Sequence, residues 1–154
     1  MLEDNRNAVV SGRWTDKSAG GCHLYDKAFE QKVDKFTWVQ NPKFHLKLDT
    51  QNQVRVKITL SRPEKAWKKQ IGMGLVGCMI GFYVYPANAE PSKDSILNKE
   101  GTKFVPWNEI QEEMILDGHP DGYIIMCSTY EPQKHGPFIL SLSTDVDFTL
   151  TALE

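Results

Sequence analysis

Long apolar runs are missing from this 154-residue sequence. The longest, Ile71 to Tyr85, is broken by Gly72, Gly74, Gly77 and Gly81. It is too short to supply the roughly 20 apolar residues of a membrane-crossing helix, so a soluble protein is expected. Cysteine is scarce and odd in number: Cys22, Cys78 and Cys127 are far apart, and no CxxC pair occurs. No secretory leader with a charged then apolar stretch is seen either, which argues for buried thiols in a reducing compartment and against a disulfide framework. Patterns for chemistry are equally thin. Gly21-Cys22-His23 shows neither a placeable base nor the short ligand spacing that zinc favours, and Cys127, His119 and His135 are scattered. Internal repeats, low-complexity tracts, an EF-hand loop and a nucleic-acid stacking motif are all absent, and with them the corresponding function classes. No catalytic, cofactor or metal residue is expected, and no nucleic-acid partner.

What the chain does have is material for a core. Four tryptophans and seven phenylalanines argue against disorder. A chain of this length buries about 68–70% of its unfolded surface in one domain. That domain is expected over residues 8–153, with 1–7, which lack any period, as a flexible segment. The formal net charge is only −2, but residues 43–69 carry eight Lys/Arg against Asp49 and Glu64, while residues 104–154 carry Lys134 against nine carboxylates. Such separation bears on partners and orientation rather than on fold.

Periodicity predicts strands almost throughout. Ala8 to Trp14 reads as a short edge strand, and Gly20-Gly21 as a loop. Tyr25 to Lys35 reads as a loop or a single helical turn. Phe44, Leu46 and Leu48 alternate, as do Val54, Val56, Ile58 and Leu60, which predicts a hairpin turning at Asp49 to Gln53. Gly77 to Pro86 is a further strand, with Gly81 as a bulge or a close backbone approach. Ala87 to Thr102 is expected to be a long surface loop. Lys103 to Trp107 and Met114 to Leu116 are short strand candidates, with one helical turn expected over Trp107 to Glu113 and a tight turn over Asp117 to Gly122. Tyr123 to Cys127 is apolar on both parities, like a strand buried on both faces, and Phe138, Leu140 and Leu142 share one face of the next. The pair is expected to form a second hairpin. Asp145-Val146-Asp147 kinks into a last strand, Phe148 to Leu153. Eight or so strands without a long amphipathic helix predict an all-β, antiparallel eight-stranded β-sandwich.

Parity also locates charge. If Lys43, His45 and Lys47 lie on one strand of a hairpin and Arg55 and Lys57 on the other, they share the outer face about 4.8 Å apart, as a patch. Arg62, Lys65, Lys68 and Lys69 add to it around Trp67. The candidate surface for a protein partner or a lipid headgroup is therefore Lys43, Lys47, Arg55, Lys57, Lys65, Trp67, Lys68 and Lys69. Calcium is an alternative, if Asp117 and Asp121 converge with Asp145 and Asp147 at one end of the sandwich; turn chemistry explains the four equally well.

Three separated stretches resemble one family. Gly12-Arg13-Trp14 with Ser18-Ala19-Gly20-Gly21-Cys22 and Trp38-Val39-Gln40-Asn41-Pro42-Lys43-Phe44 is similar to the opening of the calpain-type β-sandwich, called domain III or C2-like. Ile80-Gly81-Phe82-Tyr83-Val84-Tyr85-Pro86 is similar to its "IGFxVY" strand. Gly122-Tyr123-Ile124-Ile125, Ser128-Thr129-Tyr130-Glu131-Pro132 and Gly136-Pro137-Phe138-Ile139-Leu140 complete the pattern. The acidic loop of conventional calpains is not matched, because Ala87 to Thr102 holds only Glu90, Asp94 and Glu100 among lysines. The sequence looks closest to the distal C-terminal copy in the PalB-like branch, calpain 7. The resemblance implies a non-catalytic regulatory or docking domain of an intracellular cysteine protease, a calpain-type hydrolase. Its expected partners are the protease core or other domains of the parent, proteins of endosomal sorting, or an anionic membrane surface as the alternative. Its expected location is cytoplasmic, with endosome-associated or nuclear placement also compatible.

Overall fold

The computed structural model describes residues 6–22, 40–72, 79–90, 95–98, 104–130 and 134–153. Among them are eight strands: β1 (Arg6–Trp14), β2 (Lys43–Leu48), β3 (Val54–Ser61), β4 (Ile80–Pro86), β5 (Glu109–Leu116), β6 (Tyr123–Thr129), β7 (Gly136–Thr144) and β8 (Phe148–Leu153). One helix, α1 (Glu64–Ile71), lies between β3 and β4. The odd strands form one four-stranded sheet in the order β1-β7-β3-β5, and the even strands form the other, β4-β6-β2-β8. All pairings are antiparallel. The fold is the expected antiparallel β-sandwich, and β1 begins at Arg6, two residues before the expected Ala8. The Tyr25 to Lys35 reading, Trp38-Val39, His23, Cys78 and Glu131-Pro132 lie outside the described residues.

Strict alternation between sheets corrects both expected hairpins. β2 pairs with β6 and β8, whereas β3 pairs with β5 and β7. β6 and β7 likewise belong to opposite sheets. Both connections arch across the core. In an arch, as in a hairpin, the two strands send apolar residues to one shared interior, so the period of two is the same for either. Parity itself is as expected: Phe44, Leu46, Leu48, Val56, Ile58, Leu60, Phe138, Leu140 and Leu142 are buried between the sheets. Each such side chain contributes roughly 1.5–3 kcal/mol by leaving water.

A second, smaller core lies on the outer face of the even sheet. Tyr83 and Tyr85 of β4 and Ile124 and Met126 of β6 point away from the sandwich, yet Ile96 and Phe104 cover them. Every residue of β6 is consequently buried, as its apolar run on both parities predicts. The segment expected as a plain surface loop thus contributes buried structure. The Asn98 side chain accepts from Val84 N at 2.9 Å and donates to Phe82 O at 2.9 Å, occupying β4's free edge as a short strand would. Leu97 N adds a bond to Val84 O.

Three further expectations change. β4 pairs with β6 in continuous register, so Gly81 is not a bulge. An ideal Cβ there would lie 3.1 Å from the Phe104 ring, so the missing side chain makes room for an aromatic cover rather than for backbone. Residues 107–113 hold no helical turn, because β5 runs from Glu109 with exposed and part-buried residues alternating. The Lys103 to Trp107 candidate reduces, among its described residues, to a single bridge between Val105 and Ile80. The Asp117 to Gly122 turn forms as expected, with Gly122 N bonded to His119 O and Gly122 at φ 79°.

Candidate functional site

The resembling stretches, distant in sequence, meet at one end of the sandwich. Trp14 crosses from the odd sheet to donate its indole N–H to Cys127 O of β6 at 3.1 Å, with its ring 4.5 Å from that of Phe138. Cys22 N bonds to Tyr130 O, Tyr130 N to Met79 O, and Cys127 N to Pro42 O. Asn41 is buried and works as a clamp. Its Oδ1 accepts from Gly20 N at 3.3 Å and its Nδ2 donates to Gly21 O at 3.0 Å. The glycine pair and the Asn-Pro step therefore hold two chain segments together.

Beside this clamp lies a groove of about 720 Å³, between the ends of β1 and β8. Among the described residues Arg13, Lys17 and Lys43 line it, and no carboxylate does. Phe44 and Leu153 give it an apolar part. The turn that carries Lys17 is braced: Ser18 N bonds to Thr15 O at 3.1 Å, and the Thr15 and Ser18 hydroxyls lie 2.9 Å apart. Lys43 donates to Asn41 O at 3.4 Å, and its partial burial lowers its pKa below the ordinary lysine value. A partly desolvated ammonium interacts more strongly with an arriving anion than one in bulk water.

The eight residues expected to form one basic surface occupy three places. Lys43 and Lys47, with His45 between them, stand on the outer face of the even sheet opposite Leu153, Thr149 and Thr151 of β8. Arg55 and Lys57 stand on the outer face of the odd sheet, on the other side of the molecule. There Lys57 pairs across the strands with Glu113, and Arg55 reaches the same carboxylate at 3.3 Å. The continuous patch is overturned because its two strands are not neighbours. Lys65, Lys68 and Lys69 are exposed on α1, where Glu64 in the first turn and lysines in the last suit the helix dipole. Lys68 also pairs with Glu64 at 3.2 Å. Trp67 is part-buried, and its indole N–H donates to Pro106 O at 2.7 Å. Arg62 is buried, 2% exposed, and donates to Trp107 O at 2.7 Å. Trp107 itself, passed over in the sequence, is 64% exposed. Arg13 and Lys17 were also missed; only the fold sets them beside Lys43.

The other reactive groups have structural uses. Burial pushes the Cys127 thiol far above its ordinary pKa, which suppresses the nucleophilic thiolate. His45 donates through Nε2 to Asp121 O at 2.8 Å. His119 accepts from Asp121 N through Nδ1 and meets Tyr123 edge-on. The Asp117–Asp121 and Asp145–Asp147 turns do reach a common end. Gly118 packs on the Thr50 backbone, and Asp49 N bonds to Asp147 O at 2.8 Å. Among the described residues, however, no three His, Cys, Asp or Glu side chains are grouped to hold a metal ion.

Comparison with known proteins supplies the context for this geometry. The family model "Calpain large subunit, domain III" matches residues 10–142. The calpain-type cysteine protease DEK1 of Arabidopsis thaliana is 32% identical over 157 residues, covering 94% of this chain and 7% of DEK1. The calpain-type cysteine protease ADL1 of Oryza sativa subsp. japonica is 30% identical over 166 residues, with the same coverages. Human calpain-8 is 26% identical over 158 residues, covering 89% of this chain and 21% of calpain-8. The chain thus spans a small part of each relative. The likeness to the PalB-like branch is finer than these matches reach. With most of its length matched by the family model, including strands of both sheets and the clamp around Asn41, the chain belongs to the domain III family of the calpain large subunit.

Proposed function

We infer that this chain is a non-catalytic regulatory and docking domain of a calpain-type cysteine protease, acting inside the cell by holding the protease core, a neighbouring domain or a partner protein. The observation that carries this reading is the groove in which the exposed Arg13 and Lys17 meet Lys43 from the other sheet. Charge complementarity of this kind governs orientation and association rate more than affinity. The buried, protonated Cys127 agrees with a role apart from catalysis. The test is biolayer interferometry between the 154-residue chain and the separately produced protease core of its parent, at low and physiological salt. Salt-sensitive binding, weakened when Lys43 and Lys47 are both changed to Glu, supports the reading. Absence of binding at either salt, together with unchanged activity of a parent lacking the domain, removes it.

A second reading, an anionic membrane surface, is favoured by Trp107, whose ring is exposed while the preceding carbonyl is tied to Trp67 of the lysine-bearing helix. Each basic residue near an anionic leaflet contributes on the order of 1 kcal/mol, and salt screens it. Sedimentation with phosphatidylserine vesicles, with and without calcium, should then show salt-sensitive retention that Trp107→Ala reduces.

A further inference from the structure

Strand parity turns one carboxylate of β5 toward the interior. Glu112 stands opposite Ile58, which is buried between the sheets, whereas Glu109 and Glu113 are exposed on the other face. A single amide meets that carboxylate. Asn98 is only 4% exposed, and both hydrogens of its Nδ2 are used: one goes to Phe82 O at 2.9 Å and the other to Glu112 Oε1 at 3.1 Å. Its Oδ1 accepts from Val84 N at 2.9 Å. Asn98 therefore ties the edge of β4 in the even sheet to a titratable group on β5 in the odd sheet.

The walls around Glu112 are otherwise apolar among the described residues. On its own strand the inward neighbours are Ile110 and Met114, and β3 presents Val56, Ile58 and Leu60. β4, the other strand in contact with β5, presents Phe82 and Val84, while its Tyr83 and Tyr85 point to the outer side. Arg55 and Lys57 of β3 lie on the outer face of the odd sheet, and Arg62 is tied to Trp107 O beyond the start of β5. Burial consequently dominates: it pushes the Glu112 carboxyl above its ordinary pKa, and the bond from Asn98, which works in the opposite sense, is the smaller effect.

We propose that Asn98 and Glu112 form a proton-controlled latch between the two sheets, which closes over the β4 edge in acid and releases it as Glu112 ionises. In the closed state the carboxyl is short of water and keeps its proton. When Asn98 withdraws from the rim, water reaches Glu112 and its ordinary acidity returns. A group that holds its proton more tightly in the closed state stabilises closure fully below the ordinary glutamate range, and that stabilisation is lost as the pH rises through the raised value. Release frees Phe82 O, Val84 N and Val84 O, the last now bonded to Leu97 N. These are backbone groups that a neighbouring strand would pair with.

The test is amide exchange of the 154-residue chain, followed by NMR from about pH 4 to about pH 8, with each rate divided by its intrinsic value. Val84 and Leu97 report the latch, and Leu142, buried in β7, reports opening of the whole domain. Val84 and Leu97 are expected to be less protected than Leu142 by about tenfold or more, and to lose protection further as the pH rises. The carboxyl carbon resonance of Glu112 should titrate together with that loss. Glu112→Gln leaves Asn98 an uncharged acceptor, so Val84 protection should stay constant over the same range. The wild-type profile is decisive even if that variant does not fold. Protection at Val84 equal to that at Leu142 at every pH would mean that the latch opens only with the domain, and would overturn the proposal. So would wild-type protection that is constant or rises with pH, or an undiminished decline in Glu112→Gln.

Discussion

Where β4 and β5 approach each other, Asn98 spans the gap: its amide bonds Val84 N and Phe82 O of β4 and donates to Glu112 Oε1 of β5 at 3.1 Å. Where β1 and β8 approach each other, the corresponding gap holds the cationic groove. Both sides belong to the same two sheets, and both have apolar side chains from Phe44 to Phe82 packed behind them. The difference lies in the chain spent on the edges. On the first side residues 95–98 and 104–105 cover the rim, and burial pushes the Glu112 carboxyl above its ordinary pKa despite the Asn98 bond. On the second side the described residues of the rim carry positive charge, and among them Arg13 and Lys17 are exposed. Sealing the β4 edge satisfies its backbone groups.

Trp14 makes the contrast sharp, because it pins the open side from within. Trp14→Ala should cost about 3–5 kcal/mol in chemical denaturation, through the cavity over Phe138 and the loss of the bond to Cys127 O. A loss below about 1 kcal/mol would mean that the open side is loose in its core as well as at its rim. On the sealed side, Asn98→Leu keeps the bulk and strands Val84 N and Phe82 O, for an expected cost of about 2–3 kcal/mol. Amide exchange at Val84 should accelerate with it, while Arg13→Gln on the open rim leaves that amide unchanged. If Asn98→Leu is neutral, the comparison between the sides fails.

The sealed side should also carry a pH signature. The folded Glu112 holds its proton more tightly than the unfolded one, so stability falls as pH rises from the ordinary glutamate range through the raised folded value. Thermal melting across that range should show the decline, and Glu112→Gln should flatten it and leave the protein more stable at neutral pH. A steeper decline in the variant would reverse the assignment. The smallest effect belongs to the exposed Arg55–Glu113 pair: Arg55→Gln should change stability by less than about 0.5 kcal/mol, since solvent screens such pairs. A larger loss would make the outer face of the odd sheet part of the stabilising structure.

Alternation of apolar residues determined the fold class, the buried faces of β2, β3 and β7, and the fully buried β6. It did so because the period of two in a half-buried strand survives any pairing. The motif stretches around Trp14, Asn41, Ile80 and Ser128 determined the family, and the structure gives them one shared role, a junction joining β1, the glycine pair and β6. Which strands are neighbours was decided only by the tertiary structure. An arch and a hairpin present the same parity, so the sequence could place Lys43 and Arg55 outward but not on opposite sheets. Edge cover was equally hidden, because Asn98 sits in a polar stretch and acts on Phe82 and Val84 through backbone groups that every residue possesses. The groove followed from the same cause. Arg13, Lys17 and Lys43 are ordinary surface cations in the chain, and the packing of two sheets makes them one site.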